Sequence, residues 1–257
     1  MNLDTYTNEM RKSIWDKAFF MDKVIGTECI IDFGCADGSL IFMLADMFPN
    51  MKFYGFDHLG DMINRAKANA RSNTYFYYFW ELGKMCDDIL HVYEPDKICL
   101  NFSSVLHEVF SSSPSVKDSI AYIIKELHPK YITIRDMYYS GDNKNVRFIY
   151  VNEVINKLFI DEKYIEDFEN FNGSIMTHKG FLQFLMKYQW KDNGWKDELE
   201  ENYFSWTIDN LLDIIGDYSK VFETYYLLPY YAEKWKKIDI QPMYDRTHAQ
   251  FILRRDG

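Results

Sequence analysis

Asp32, Gly34, Gly38 and Asp57 are spaced as a strand–turn–helix ligand site requires. In Asp32-Phe33-Gly34-Cys35-Ala36-Asp37-Gly38 the two glycines let the backbone pass close to a bound group and turn sharply into a helix. Asp32 stands two residues before Gly34, where a carboxylate can receive an ammonium. A dinucleotide-binding turn carries a third glycine further on, and that position here is Ser39. The turn therefore suits a cationic, amino-acid-like group better than a pyrophosphate. A tight strand–helix turn without a ligand is the plain alternative. Asp57 follows about 20 residues after the turn, the distance at which an acidic residue meets ribose hydroxyls. It equally suits the N-cap of a helix over 58–70.

Two further segments hold reactive side chains at expected strand ends. In Asn101-Phe102-Ser103-Ser104-Val105-Leu106-His107-Glu108, His107 can serve as a general base and Glu108 as its orienter. Packing of His107 in a helix start, with Glu108 solvated, is the alternative. No second histidine follows at the zinc-helix spacing, so no metal site is expected. In Arg135-Asp136-Met137-Tyr138, Arg135, Asp136 and Tyr138 either meet a substrate or, for Arg135 and Asp136, pair internally.

The elements that must position these residues alternate. An apolar stripe of Met10, Ile14, Ala18, Met21 and Ile25 predicts a helix over 8–25. Strands are expected over 29–33, 52–56, 75–80, 98–102 and 131–134, with helices over 39–47, 60–70 and 116–127. Alternation at this spacing implies a parallel sheet with helices on both faces. Residues 141–215 read as helical. Two final strand-like runs, 221–228 and 246–253, are separated by an aromatic loop with Tyr230, Tyr231 and Trp235, and are expected to pair antiparallel.

Length and composition bound the rest. The 257 residues suit one large α/β domain, or one with a sizeable insertion, and 47% hydrophobic content supports an ordinary core. The net charge of −10 disfavours a long nucleic-acid groove or an anionic membrane surface. Cys29, Cys35, Cys86 and Cys99 include no C-x-x-C pair and read as buried thiols in a reducing compartment. The acidic start of the chain and the lack of a long apolar run point to a cytoplasmic protein with no membrane partner.

Taken together, the 32–38 turn, Tyr54-Gly55-Phe56-Asp57, Ser104-Val105-Leu106-His107-Glu108 and Ile134-Arg135-Asp136-Met137 resemble the class I methyltransferases that use S-adenosylmethionine. Thr247-His248-Ala249-Gln250-Phe251-Ile252-Leu253 resembles the last strand of that family. The resemblance covers 29–135 and about 219–254. It implies an α/β, doubly wound, mostly parallel seven-stranded sheet whose last strand is antiparallel. The core would be 1–140 and 216–257, with 141–215 a helical cap for substrate recognition between strands five and six.

The resemblance also implies roles. Gly34, Cys35, Ala36 and Gly38 would surround the methionine part of the cofactor, and Asp32 would hold its amino group. Asp57 would bind the ribose, with His58 and Met62 beside the adenosine. Trp80 and Glu81 would flank the adenine, and Asn101 and Ser103 would line the methionine end. Ala36 departs from the glycine common in the family. The 141–215 segment holds 8 Lys or Arg against 14 Asp or Glu, a net −6, which disfavours RNA or DNA there. Its aromatic residues favour a small-molecule acceptor. A nucleic-acid or protein acceptor, a SAM-binding protein without turnover, and a nicotinamide-dependent oxidoreductase are the competing readings.

Overall fold

The computed structural model describes residues 12–112, 114–192, 194–237 and 246–256. By tertiary contacts they form two compact units. One holds the residues up to Asp136 with Trp206–Thr224 and Gln250–Gly257; the other holds Met137–Ser205 and Tyr225–Ala249.

Seven strands make one sheet in the order β3-β2-β1-β4-β5-β7-β6. They are β1 (Cys29–Phe33), β2 (Lys52–Asp57), β3 (Thr74–Tyr78), β4 (Ile98–Ser103), β5 (Tyr131–Met137), β6 (Tyr218–Tyr226) and β7 (His248–Arg255). The first five are parallel. The ending is antiparallel. Arg255 N–H donates to the Lys130 carbonyl and Tyr138 N–H to the Thr247 carbonyl, so β7 ends where β5 begins. Thr247 likewise donates to Tyr226, and Asp256 to Asp217, so β6 and β7 also oppose. This is the doubly wound, mostly parallel sheet that the alternating elements predicted. Strands β1 and β4 are buried along their whole length, as strands covered on both faces must be.

Helices α2 (Ser39–Met47) and α3 (Gly60–Ala68) connect β1 to β2 and β2 to β3. Leu40, Ile41 and Leu44 of α2, with Ile63 and Ala66 of α3, pack with Ile30, Phe53, Phe76 and Ile252 of the strands into one apolar layer. Helices α4 (Leu82–Leu90), α5 (Leu106–Ser111) and α6 (Pro114–Leu127) bury Met85, Cys86, Ile89, Leu106, Val109, Ile120, Ile123 and Leu127. All four cysteines are buried free thiols. No described helix is long and apolar enough to cross a membrane.

The second unit has its own core. Helices α7 (Phe148–Leu158), α8 (Glu162–Asn172), α9 (His178–Tyr188) and α10 (Trp195–Glu200) gather Val151, Phe168, Phe181, Phe184, Trp195 and Phe204. Asp161 and Thr177 cap α8 and α9 by accepting backbone N–H groups through their side chains.

Several sequence expectations are corrected. The helix expected over 8–25 shrinks to α1 (Ile14–Lys17), followed by turns; residues 8–11 of that expectation lie outside the described residues. Ile25, placed in its apolar stripe, is 75% exposed, whereas Phe20 and Val24 are buried. Packing of Phe20 and Val24 against the sheet overrides the helical period. Strand β3 stops at Tyr78, and Phe79–Glu81 is a single 3-10 turn, so Trp80 leaves the strand. Helix α4 was not anticipated, although Leu82, Met85, Cys86 and Ile89 have helical spacing. In the expected aromatic loop Pro229–Lys237 is helix α12, opened by a proline that fits the first helical turn, and residues 238–245 of that expectation lie outside the described residues. Helix α11 (Ile208–Ile215), expected in the insertion, belongs with the sheet unit and packs on α6.

Candidate functional site

The carboxyl ends of β1, β2 and β4 open on a cleft within the sheet unit. A cleft at strand ends where the sheet order reverses is where doubly wound sheets bind ligands.

The 32–38 turn forms one wall. Gly34 has φ +74°, and a Cβ there would meet Val105 Cγ2 at 2.7 Å. Gly38 has φ +79°, and a Cβ would meet the Phe76 ring at 2.9 Å. Both positions thus require glycine twice over, by backbone region and by space. Ala36 adopts φ +47° and Ser104 φ +58°. Two of the left-handed non-glycine residues therefore lie in the lining of one cleft, where backbone strain marks functional sites.

Asp57 fastens the walls together. Its Oδ2 accepts the Ala36 N–H at 2.9 Å and its Oδ1 the Leu59 N–H at 2.8 Å. Each oxygen keeps a lone pair for another donor. Both readings of Asp57 thus hold in part: it bonds the chain entering α3 and it lines the cleft. Asp32 lies 4% exposed on the floor. Asn101 Nδ2 donates to its Oδ1 at 2.7 Å, and Thr133 Oγ donates to Asn101 Oδ1 at 2.8 Å. Burial pushes the Asp32 carboxyl up to about 6, against the opposing pull of Asn101 and Lys17.

Of the residues singled out in sequence, Asp32, Gly34, Cys35, Ala36, Asp57, His58, Met62, Ser103 and Glu108 line the cleft. The Ser103 hydroxyl is buried and has no hydrogen-bond partner. Asn101 stands behind Asp32 rather than in the lining. Gly38 caps α2 against Phe76. Trp80 is 72% exposed and stacks on Tyr78, with ring centroids 4.5 Å apart; Glu81 accepts the Tyr78 N–H. Neither is in the cleft lining.

His107 is buried, with Nδ1 2.7 Å from Asp136 Oδ1. Its close carboxylate is Asp136 and not Glu108, which stands 4.0 Å from Nε2. Asp136 is fully buried and also accepts the N–H groups of Val105 and His107. Arg135 is 2% exposed; its Nε meets Asp16 Oδ2 at 2.6 Å and its Nη1 donates to Ser104 Oγ at 2.7 Å. Arg135 is thus internally paired, with Asp16 rather than with Asp136. Tyr138 is buried against Tyr225 in the helical unit. Arg135, Asp136 and Tyr138 are therefore absent from the cleft lining.

Sequence reasoning missed Lys17 and Ile14 of α1, and Ser104 and Val105 beyond β4, all of which line the cleft. Gly34 and Val105 signalled their pairing only through space. Lys17 gave no local signal. Among the described residues no cluster of three His, Cys, Asp or Glu side chains is arranged to hold a metal.

A family model described as a methyltransferase domain matches residues 27–201. Among solved structures, the chain is similar to a SAM-dependent methyltransferase from Anabaena variabilis at 12% identity and a TM-score of 0.53, covering 99% of this chain and 95% of that one. It is also similar to an S-adenosylmethionine-dependent methyltransferase from Mesorhizobium loti at 15% identity and a TM-score of 0.51, covering 95% and 98%. At these identities the likeness is one of fold. Comparison with curated protein sequences gives no match.

Proposed function

The chain belongs to the methyltransferase-domain family and has the class I fold, and from that premise we propose that it is an S-adenosylmethionine-dependent methyltransferase with its cofactor in the cleft between Asp32 and Asp57. The observation that carries this reading is the Asp57 carboxylate, buried at the end of β2 and bonded to Ala36 of the 32–38 turn. It supports a ribose site beside a loop with no room for side chains at Gly34 and Gly38.

The residues fit the cofactor. Ser103 offers a buried hydroxyl with no protein partner. Asp57 keeps lone pairs for two ribose hydroxyls. Asp32 offers a carboxylate to the ammonium of the amino-acid end. Leu59 and Met62 give apolar surface for the adenosine, with His58 beside them. When bound, S-adenosylmethionine supplies a methyl group on a sulfonium, open to direct displacement by a nucleophile. The protein's main contribution is then alignment of the two reactants. His107 stays the candidate base for an acceptor protonated at working pH, although the structure buries it against Asp136, next to Glu108 of the cleft lining and not in that lining itself.

Acceptor recognition is assigned to the part of the expected 141–215 cap that lies in the helical unit, residues 141–205. Its 8 Lys or Arg against 12 Asp or Glu, and its aromatic content, support a small-molecule acceptor over a nucleic acid. A cytoplasmic location accompanies this reading.

Thermal shift and isothermal titration with S-adenosylmethionine, S-adenosylhomocysteine and NAD(P) test it. Binding of the first two stabilises the native state by mass action, raising Tm by several degrees at saturating ligand. Stabilisation by NAD(P) alone would overturn the assignment.

A further inference from the structure

We propose that Lys17 binds the carboxylate of the cofactor's amino-acid end, and that Asp16 and Arg135 are positioning residues that hold Lys17 in the cleft. The inference rests on the cofactor reading above and adds the second half of the zwitterion to it.

An amino-acid end carries an ammonium and a carboxylate. Asp32 suits the first. The cleft is also lined by Asp37, Asp57 and Glu108, so a ligand carboxylate there meets a field of its own sign. Among the described lining residues, Lys17 is the one lysine or arginine. The residue is 6% exposed, which is rare for a lysine without an anionic environment. The charged groups facing it are Arg135, Asp32, Asp136 and Asp16. Burial and the Arg135 charge outweigh the three carboxylates and bring its ammonium down to about 8. A ligand carboxylate offsets that burial by adding an opposite charge where the cleft admits one.

Lys17 does not hold itself there. Helix α1 has four residues, too few for intrinsic stability, and turns follow it. Its seat is therefore tertiary, and Asp16 supplies it. Arg135 Nε meets Asp16 Oδ2 at 2.6 Å, and Gln250 Nε2 donates to Asp16 Oδ1 at 3.1 Å and to its carbonyl at 3.2 Å. Arg135 donates with its other arm to Ser104, itself in the cleft lining. One buried guanidinium thus ties the segment carrying Lys17 to the end of β4. The neighbours Asp16 and Lys17 divide the work: one is latched to the sheet and the other reaches the ligand.

Two nucleosides separate this role from general damage. S-adenosylhomocysteine carries the amino-acid end, and 5′-methylthioadenosine lacks it. Titration of wild type, Lys17→Met, Lys17→Arg, Asp16→Asn and Arg135→Met with both compounds is the experiment. Lys17→Met, Asp16→Asn and Arg135→Met each weaken S-adenosylhomocysteine by about tenfold or more, the worth of a charge-assisted contact. The affinity of 5′-methylthioadenosine changes by no more than about twofold, and Lys17→Arg keeps most of the binding. Unchanged S-adenosylhomocysteine affinity in Lys17→Met, or an equal loss for both nucleosides, would overturn the inference. Wild type that binds neither compound overturns the cofactor reading instead, a separate failure.

Discussion

Asn101 on β4 donates its side-chain amide to the Asp32 carboxylate on the neighbouring strand β1 at 2.7 Å. The two residues are directly paired in the parallel register, and Thr133 on β5 is paired with Asn101 in turn. A row of three polar side chains therefore crosses three buried strands, each bonded to the next. The row fixes the direction of Asp32 and leaves it otherwise poorly solvated. Burial pushes its carboxyl up to about 6, against the downward pull of the Asn101 hydrogen bond.

The first prediction is that stability and ligand affinity respond oppositely to pH through Asp32. Its folded pKa of about 6 lies above the ordinary 3.8. Between those values the native state keeps a proton that the unfolded chain has released. This group's contribution to stability therefore falls as pH rises from about 4 to about 6, and is flat above. The ligand ammonium needs the carboxylate, so S-adenosylhomocysteine affinity rises across the same window and levels above pH 6. Asp32→Asn raises the Tm of the free protein at pH 7, by the equivalent of about 1–3 kcal/mol, and removes the pH dependence of binding. Calorimetry at several pH values reads both. A parallel rise of Tm and affinity with pH would exclude the mechanism.

Asp57 joins two loops, and its removal has two separable effects. Asp57→Ala loses the bonds to Ala36 and Leu59, costing about 1–3 kcal/mol of stability. It also loses the ribose acceptor, weakening S-adenosylhomocysteine by about tenfold to a hundredfold. Adenine, which has no ribose, serves as the control in the same titration. Denaturant melts and titration together show whether both effects occur; full affinity in Asp57→Ala would place the ligand elsewhere.

Gly34 is predicted to be coupled to Val105. Gly34→Ala forces a left-handed alanine, at about 1–2 kcal/mol, and drives its methyl into Val105 Cγ2. Val105→Ala opens that space. The double variant therefore recovers the steric part of the loss and keeps the backbone part. Urea melts of the four-member cycle measure the coupling. Simple additivity would mean that the two side chains do not meet.

What the sequence made legible is local. Asp32, Gly34 and Asp57 announce themselves because each sits at a strand end and its own residue type carries the signal, although Asp32 and Gly34 find their partners Asn101 and Val105 far along the chain. Lys17 and Asp16 do not. Asp16 reaches its partner Arg135 across 119 positions, and no pattern within α1 encodes that pair. For Arg135 the sequence leaves substrate contact and an internal pair equally open, and the structure shows its side chain bonded to Asp16 and Ser104. The apolar stripe through Ile25 misled in the same way, since the residues that pack, Phe20 and Val24, were chosen by the sheet and not by helical period. The doubly wound parallel sheet followed from alternation, because such a sheet with covering helices leaves few other arrangements; the order of its strands did not.

The helical unit is held by a buried charge whose loss should be felt locally. Lys187 is fully buried in α9, with Nζ donating to the carbonyls of Glu198 and Glu201 and lying 4.1 Å from the Tyr203 ring centroid. Burial lowers its ammonium to about 8, while Glu198 and Glu201 pull it upward. Tyr203 donates in turn to the buried Glu198 carboxylate. Lys187 thus closes the end of α10 and the chain that follows. Lys187→Met fills the volume but leaves two carbonyls undonated and removes the cation that faces Glu198. The expected cost is about 3–5 kcal/mol. Hydrogen exchange should quicken across 195–204, because the bonds lost are there. S-adenosylhomocysteine affinity should hold, because every described residue lining the cleft lies between Ile14 and Glu108. Unaltered exchange across 195–204 would show that packing alone, and not the lysine, closes this end of the helical unit.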